Sequence, residues 1–151
     1  MININILNDH SSYLPYNSKN IKELSKRVLA SEKCNEGNLS IILSNKKYLN
    51  KLKKEYFHMD VYTDVIAFNL EVENDCLDGE IYISIEDVIE NAKIYSKSFN
   101  NEFSRVLIHG ILHLMGYNDN NEKERKTRFK SESTVLSGLL PSYLFIFFSN
   151  F

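Results

Sequence analysis

The 151 residues make a chain the size of one domain, long enough to bury a core without disulfide or metal staples. Hydrophobic content of 43% and charged content of 25% are those of an ordinary globular protein and exclude a disordered or fibrous one. A formal net charge of −2 excludes a bulk polycation, so any contact with nucleic acid must rest on local positive charge.

Residues 2–7 (ININIL) alternate polar and apolar, the pattern of a half-buried strand. The start of the chain lacks the basic opening and apolar run of a secretory signal, which gives a cytoplasmic protein as the expectation. Ser18 can cap a helix running through Ala30, with Ile21, Leu24, Val28 and Leu29 as its apolar stripe. LSIILS at 39–44 has the β-branched density of an interior strand. Asn45 then offers a cap for a basic helix over 46–57 carrying Lys46, Lys47, Lys51, Lys53 and Lys54.

Residues 64–70 (DVIAFNL) and 80–85 (EIYISI) read as two further strands joined by the turn NDCLDG. A helix is predicted over 86–98 with Val88, Ile89 and Ala92 inward, and another over 102–115, which Gly116 is placed to end. A charged helix is predicted over 121–133. The apolar stretch LLPSYLFIFF near the C-terminus is broken by Pro141 and Ser142. It falls short of the about 20 residues a membrane span requires, so a tail packed on the domain or on a second subunit is expected, with no membrane role. Cys34 and Cys76 form no CxxC pair, and buried reduced thiols are the expectation. Together the elements predict one α/β (α+β) domain over 1–132, with a small mixed four-stranded sheet, one antiparallel pairing and several packing helices. Residues 133–151 form a tail of unassigned role.

The chemistry concentrates in IHGILHLMGYND, residues 108–119. His109 and His113 stand four apart, so on a helix they project from one face about a turn from each other. Two such imidazoles can bind one Zn²⁺, and they can equally be core histidines each satisfied by a hydrogen bond. Gly116 lets the chain turn back, and Asp119 is the nearest downstream residue with strong ligand chemistry. Three protein ligands and one open position describe a catalytic rather than a structural site. The residue after the first histidine is Gly110, where zinc proteases of the HExxH kind carry their glutamate base. That weighs against a peptide hydrolase and leaves the chain without an evident proton acceptor.

HGILHLMGYND resembles the YbeY-family signature HGxLHLxGYDH, with His109, His113 and Gly116-Tyr117 in register. TDVIAF at 63–68 resembles the family's TDVLSF segment and LDGEIYIS at 77–84 its GDIxIS strand, and Glu102, Arg105, Val106 and Leu107 lead into the histidines as in the family. The resemblance implies a metal-dependent, single-strand endoribonuclease acting in 16S ribosomal RNA 3′-end maturation and ribosome quality control, with RNA and the small ribosomal subunit as partners. It carries metal ligation over to His109, His113 and Asp119, the last standing where the family has a third histidine. Carboxylate oxygen also coordinates zinc, but the substitution makes Mn²⁺ or another transition ion more competitive with Zn²⁺. In the family an arginine often follows the tyrosine ahead of TDVLSF, and Phe57 occupies that position here. Lys53 and Lys54 are candidates to hold phosphate in its place, and Arg105 is a candidate substrate contact or an ion-pair partner. Lys123, Arg125, Lys126, Arg128 and Lys130 offer further charge, and placement with the 46–54 lysines on one face would favour RNA. The rival expectation is a non-catalytic ribosome-assembly or RNA-binding factor whose metal is structural.

Overall fold

The computed structural model describes residues 1–10, 17–70 and 76–117, together with Lys123 and Lys126. In chain order its elements are β1 (Ile2–Asn8), α1 (Ser18–Ser31), β2 (Gly37–Ser44), α2 (Lys46–Phe57), β3 (Val65–Asn69), β4 (Leu77–Ser84), α3 (Ile85–Ile94) and α4 (Phe99–Leu114). The four strands lie in the order β1-β2-β4-β3. β1 with β2 and β2 with β4 are parallel, and β3 runs antiparallel to β4 along the edge. This is the mixed α+β domain that the alternation of elements predicts.

Side chains alternate across the pleat, so each sheet face has its own composition. Leu39, Ile41 and Leu43 of β2 and Ile81 and Ile83 of β4 are fully buried in a core shared with α1 and α4. Ile66 faces the other way, where Leu49 and Leu52 of α2 cover it beside Phe68 and Tyr82. The histidine helix and the lysine helix therefore lie on opposite faces of one sheet.

Helix boundaries follow from their caps. The side chains of Asn17, Asn45, Ser84 and Ser98 each accept a backbone N–H of the first turn they precede. Asn17 rather than Ser18 thus caps α1, and Ser98 starts α4 three residues before the expected 102. The helix expected to reach residue 98 stops at Ile94 because Ser96 adopts φ 52, letting Ser96 and Lys97 N–H groups bond the carbonyls of Lys93 and Ala92. Ile89 is exposed, and fully buried Ile85 takes the inward position expected of it.

Two glycines set the distance between α4 and the sheet. Gly79, expected in a turn, lies inside β4, where an added Cβ would stand 2.9 Å from Leu114 Cδ1. At Gly110 an added Cβ would meet Ile81 Cγ2 at 2.9 Å and Val65 Cγ2 at 3.0 Å. The helix backbone rests directly on two β-branched side chains whose stiffness leaves them little room to yield.

Both cysteines are free, but Cys34 is half-buried and Cys76 exposed, so the expectation of buried thiols fails for Cys76. Among the described residues no helix is long and apolar enough to cross a membrane. The predicted 121–133 helix (Lys123 and Lys126 apart), the boundary at 132 and the tail 133–151 lie outside the described residues.

Gly110→Val is expected to destabilise the domain by about 2–3 kcal/mol, since overpacking outweighs the gain in helix propensity. Urea unfolding of parent and variant measures it, and an unchanged midpoint would show that α4 can lift freely from the sheet.

Candidate metal centre

α4 presents a stripe of partly buried polar side chains at Arg105, His109 and His113, each one helical turn from the next. His109 and His113 turn their Nε2 atoms toward each other at 2.7 Å, with ring centroids 4.6 Å apart and planes inclined by 43°. Both nitrogens thus aim at one small volume. An ion bound tetrahedrally through nitrogens at about 2.0–2.1 Å would hold them roughly 3.3 Å apart, so the rings need part by only about half an ångström. The pair has room for a divalent ion, and at 2.7 Å the two nitrogens also stand at hydrogen-bonding distance from each other, the other reading open to an HxxxH pair.

Among the described residues no third His, Cys, Asp or Glu joins the pair in a group able to hold a metal. Asp119 lies outside the described residues. What the structure does define is the way the chain leaves α4 toward it. Gly116 takes φ 91, its N–H bonds the His113 carbonyl at 3.1 Å, and Tyr117 N–H bonds the Leu112 carbonyl at 3.0 Å. This left-handed cap reverses the chain immediately after the second histidine, as the glycine predicts. Tyr117 then packs against the core and donates its hydroxyl to Glu32 Oε2 at 3.1 Å, tying the turn to the end of α1.

One turn before His109, the Arg105 guanidinium joins two carboxylates. Its Nη2 lies 2.7 Å from Glu102 Oε1 and 3.2 Å from Asp64 Oδ2, and its Nε bonds both Glu102 oxygens at 3.2 and 3.1 Å. Glu102 is only 1% exposed. The bidentate fork is the geometry arginine supplies and lysine cannot. Burial pushes the Asp64 carboxyl above its ordinary value, and the Arg105 charge pulls it back down. Of the two roles open to Arg105, the structure displays the ion pair.

Lys53 and Lys54 are not gathered with the histidines, since they belong to the helix on the other face of the sheet. Lys53 Nζ sits 4.6 Å from the Phe57 ring centroid, and Lys54 pairs with Asp60 at 3.2 Å. Phe57, at the position of the family's arginine, stacks on Phe68 with centroids 5.8 Å apart. Sequence reading passed over Asp64 and Glu32 altogether. The signal for Glu102 was its place three residues before Arg105 on one helix face, whereas Asp64 and Glu32 reach their partners only through tertiary folding.

Comparison with known proteins gives this small mixed-sheet domain, with its paired-histidine helix laid across one face, a family. A sequence model described as Endoribonuclease YbeY matches residues 5–140. Proteins named Endoribonuclease YbeY from Christiangramia forsetii and Amoebophilus asiaticus are 38% and 40% identical to this chain. The first alignment covers 87% of the chain and 86% of the relative, the second 80% and 82%. A Flavobacterium johnsoniae protein of the same name is 38% identical over 73% of the chain and 78% of its own length. Among solved structures, the solution structure of a Thermotoga maritima protein superposes with a TM-score of 0.56 at 28% identity, covering 89% of this chain and 90% of that one. The chain belongs to the YbeY endoribonuclease family.

Arg105→Ala leaves Glu102 and Asp64 without their cation, and a loss of about 2–4 kcal/mol is expected at neutral pH. Without the downward pull of Arg105 the Asp64 carboxyl rises further. An acid whose folded value is raised opposes folding more as pH climbs through its unfolded value, so the deficit of the variant should shrink on acidification. Asp64→Asn, which leaves Glu102 as counter-ion, should cost under about 1 kcal/mol. Urea unfolding of the variants in neutral and mildly acidic buffer tests both, and a pH-independent deficit would contradict the assignment.

Proposed function

We propose that this chain is a metal-dependent endoribonuclease that cleaves single-stranded RNA, acting in 16S ribosomal RNA 3′-end maturation and ribosome quality control in the cytoplasm. The observation that carries the reading is the convergence of the His109 and His113 Nε2 atoms at 2.7 Å, in a chain that belongs to a family named for endoribonuclease activity. Asp119 is the third ligand in this reading, two residues beyond the tyrosine that closes the turn after α4. Zinc suits two imidazoles and a carboxylate, and Mn²⁺ is the nearest competitor because the oxygen ligand is harder than a third imidazole. When bound, the ion supplies Lewis acidity toward water and toward a phosphoryl oxygen.

The residues of the chain do the positioning. His109 and His113 bind through the nitrogens that face each other, on a helix held at fixed height above the sheet by Gly110. The left-handed cap at Gly116 and the Tyr117–Glu32 hydrogen bond hold the exit of the helix, which sets where Asp119 can begin to approach. Arg105, Glu102 and Asp64 anchor the helix one turn away, with one guanidinium shared between two carboxylates, so the stripe beside the histidines carries an excess of negative charge. The basic residues from Lys123 to Lys130 follow Asp119 in the chain and supply the local positive charge that a phosphate backbone requires.

Two features favour a second reading, in which the protein is a ribosome-assembly factor with a structural metal. Phe57 stands in place of a phosphate-binding arginine, and Gly110 has no side chain to accept a proton. The two readings part on one experiment. Elemental analysis should find about one divalent ion per chain, and His113→Ala should weaken its affinity more than about 100-fold, beyond what outer-shell losses cause. RNA cleavage, followed on an unstructured labelled substrate, should disappear in the same variant. Metal bound stoichiometrically without cleavage by the parent selects the structural reading, and cleavage that survives metal loss sinks the nuclease site. Asp119→His, which restores the family's third imidazole, should retain the metal, whereas Asp119→Ala should release it.

A further inference from the structure

The outer side of α2 carries an open groove of about 840 Å³ that has no part in the histidine site. Lys47, Lys51 and Lys54 line it at helical spacing, with Tyr48, Asn50 and Tyr62 beside them. Residues i, i+4 and i+7 share one helix face, so the three ammonium groups form a row. Lys54 is paired with Asp60, but Lys47 and Lys51 make no ion pair among the described residues. Glu55 is the one acidic side chain in the lining.

Tyr62 is 65% exposed. Lys46 Nζ lies 5.6 Å from its ring centroid, and that ammonium is itself anchored by Asp87 at 3.2 Å and Glu90 at 3.0 Å. An aromatic ring open to solvent and biased in orientation by a tethered cation offers a stacking platform. The second observation is Asn50. Its residue is 6% exposed and its Nδ2 donates to Asp60 Oδ1 at 3.3 Å, while its Oδ1 is buried with no hydrogen-bond partner. A buried acceptor left unsatisfied costs the folded protein free energy that a donor brought by a ligand would recover.

Taking the RNA reading above as its basis, we propose that this groove is a second contact for single-stranded RNA, remote from the metal centre. A base stacks on Tyr62, its phosphates lie along Lys47, Lys51 and Lys54, and a donor on a base edge meets Asn50 Oδ1 when that side chain turns outward from its buried position. Acidic side chains of a protein partner would meet the lysines equally well. They bring only acceptors to Asn50, however, and give the tyrosine nothing to stack. The groove opens from the sheet face opposite α4, so a strand held there is gripped away from the point of cleavage.

The test uses the full-length protein and a fluorescein-labelled 2′-O-methyl oligoribonucleotide of about 12 nucleotides, long enough for such a groove and resistant to cleavage. Anisotropy titrations should show Tyr62→Ala weakening binding by about 5- to 50-fold, the usual loss of one stacked base. Lys51→Gln should reduce the slope of log K against log salt by about 0.7, the single-strand value for one phosphate contact. Asn50→Leu should weaken binding while leaving the urea midpoint unchanged or raised, an effect that a merely structural asparagine would not give. A parent that does not bind the oligonucleotide, or groove variants that bind it as the parent does, overturn the groove without touching the metal-site reading. Displacement by polyglutamate as effective as by unlabelled oligonucleotide assigns the surface to an acidic protein and also overturns it. Groove-dependent binding by a parent that cleaves no RNA upholds the groove while the endoribonuclease reading fails.

Discussion

The contact on which the molecule turns is the bare backbone of α4 at Gly110 pressed against Ile81 and Val65. Because the helix has no side chain there, its axis comes close enough for Val106, Leu107, Ile111 and Leu114 to sink into the core above β3 and β4. That depth carries the neighbouring stripe down with it. His109 and His113 become partly buried rather than dangling in solvent, and low exposure limits the rotamers from which their nitrogens must be gathered. The same glycine occupies the place at which an HExxH helix keeps its glutamate. In this fold that position points into the sheet, so a carboxylate there would have neither space nor water. The packing therefore forbids one familiar chemistry at the position beside the histidine pair.

Charge is distributed to match this division of the sheet. On the α4 side the buried Glu102 and the partly exposed Asp64 share the single Arg105 guanidinium, leaving an excess of negative charge beside the histidines. On the α2 side Lys47 and Lys51 stand among aromatic rings, while Lys46 is paired with Asp87 and Glu90 and Lys54 with Asp60. The near-neutral total of the chain conceals this asymmetry, which only the alternation of strand faces reveals.

Much of the fold was legible in the sequence, and the failures have definite causes. α2 was read to the residue because Asn45 is both a turn former and a cap, followed at once by helical spacing of Leu49 and Leu52. α3 was overextended because nothing in YSKSF marks Ser96 as left-handed, a conformation seldom taken by serine. Gly79 was misread as a turn residue because a glycine needed for close packing and one needed for a turn look alike in one dimension. At the site, local spacing brought His109 and His113 together on paper, since an i, i+4 relation survives any tertiary arrangement. The partners of Arg105 and Tyr117 include Asp64 and Glu32, 41 and 85 positions away, and no local pattern connects residues across such gaps. Phe57 could be recognised as a departure from the family but not as a ring stacked on Phe68, because that needs the register of β3.

The parallel pairing of β2 with β4 has a consequence for assembly. Those neighbours are joined through α2 and β3, so the centre of the sheet closes only after a long excursion of chain, and such nonlocal closures are slow. α4 has no floor to rest on until that closure is complete. The imidazoles share a face as soon as their helix forms, but their partly buried setting against the sheet is completed only late on the folding route.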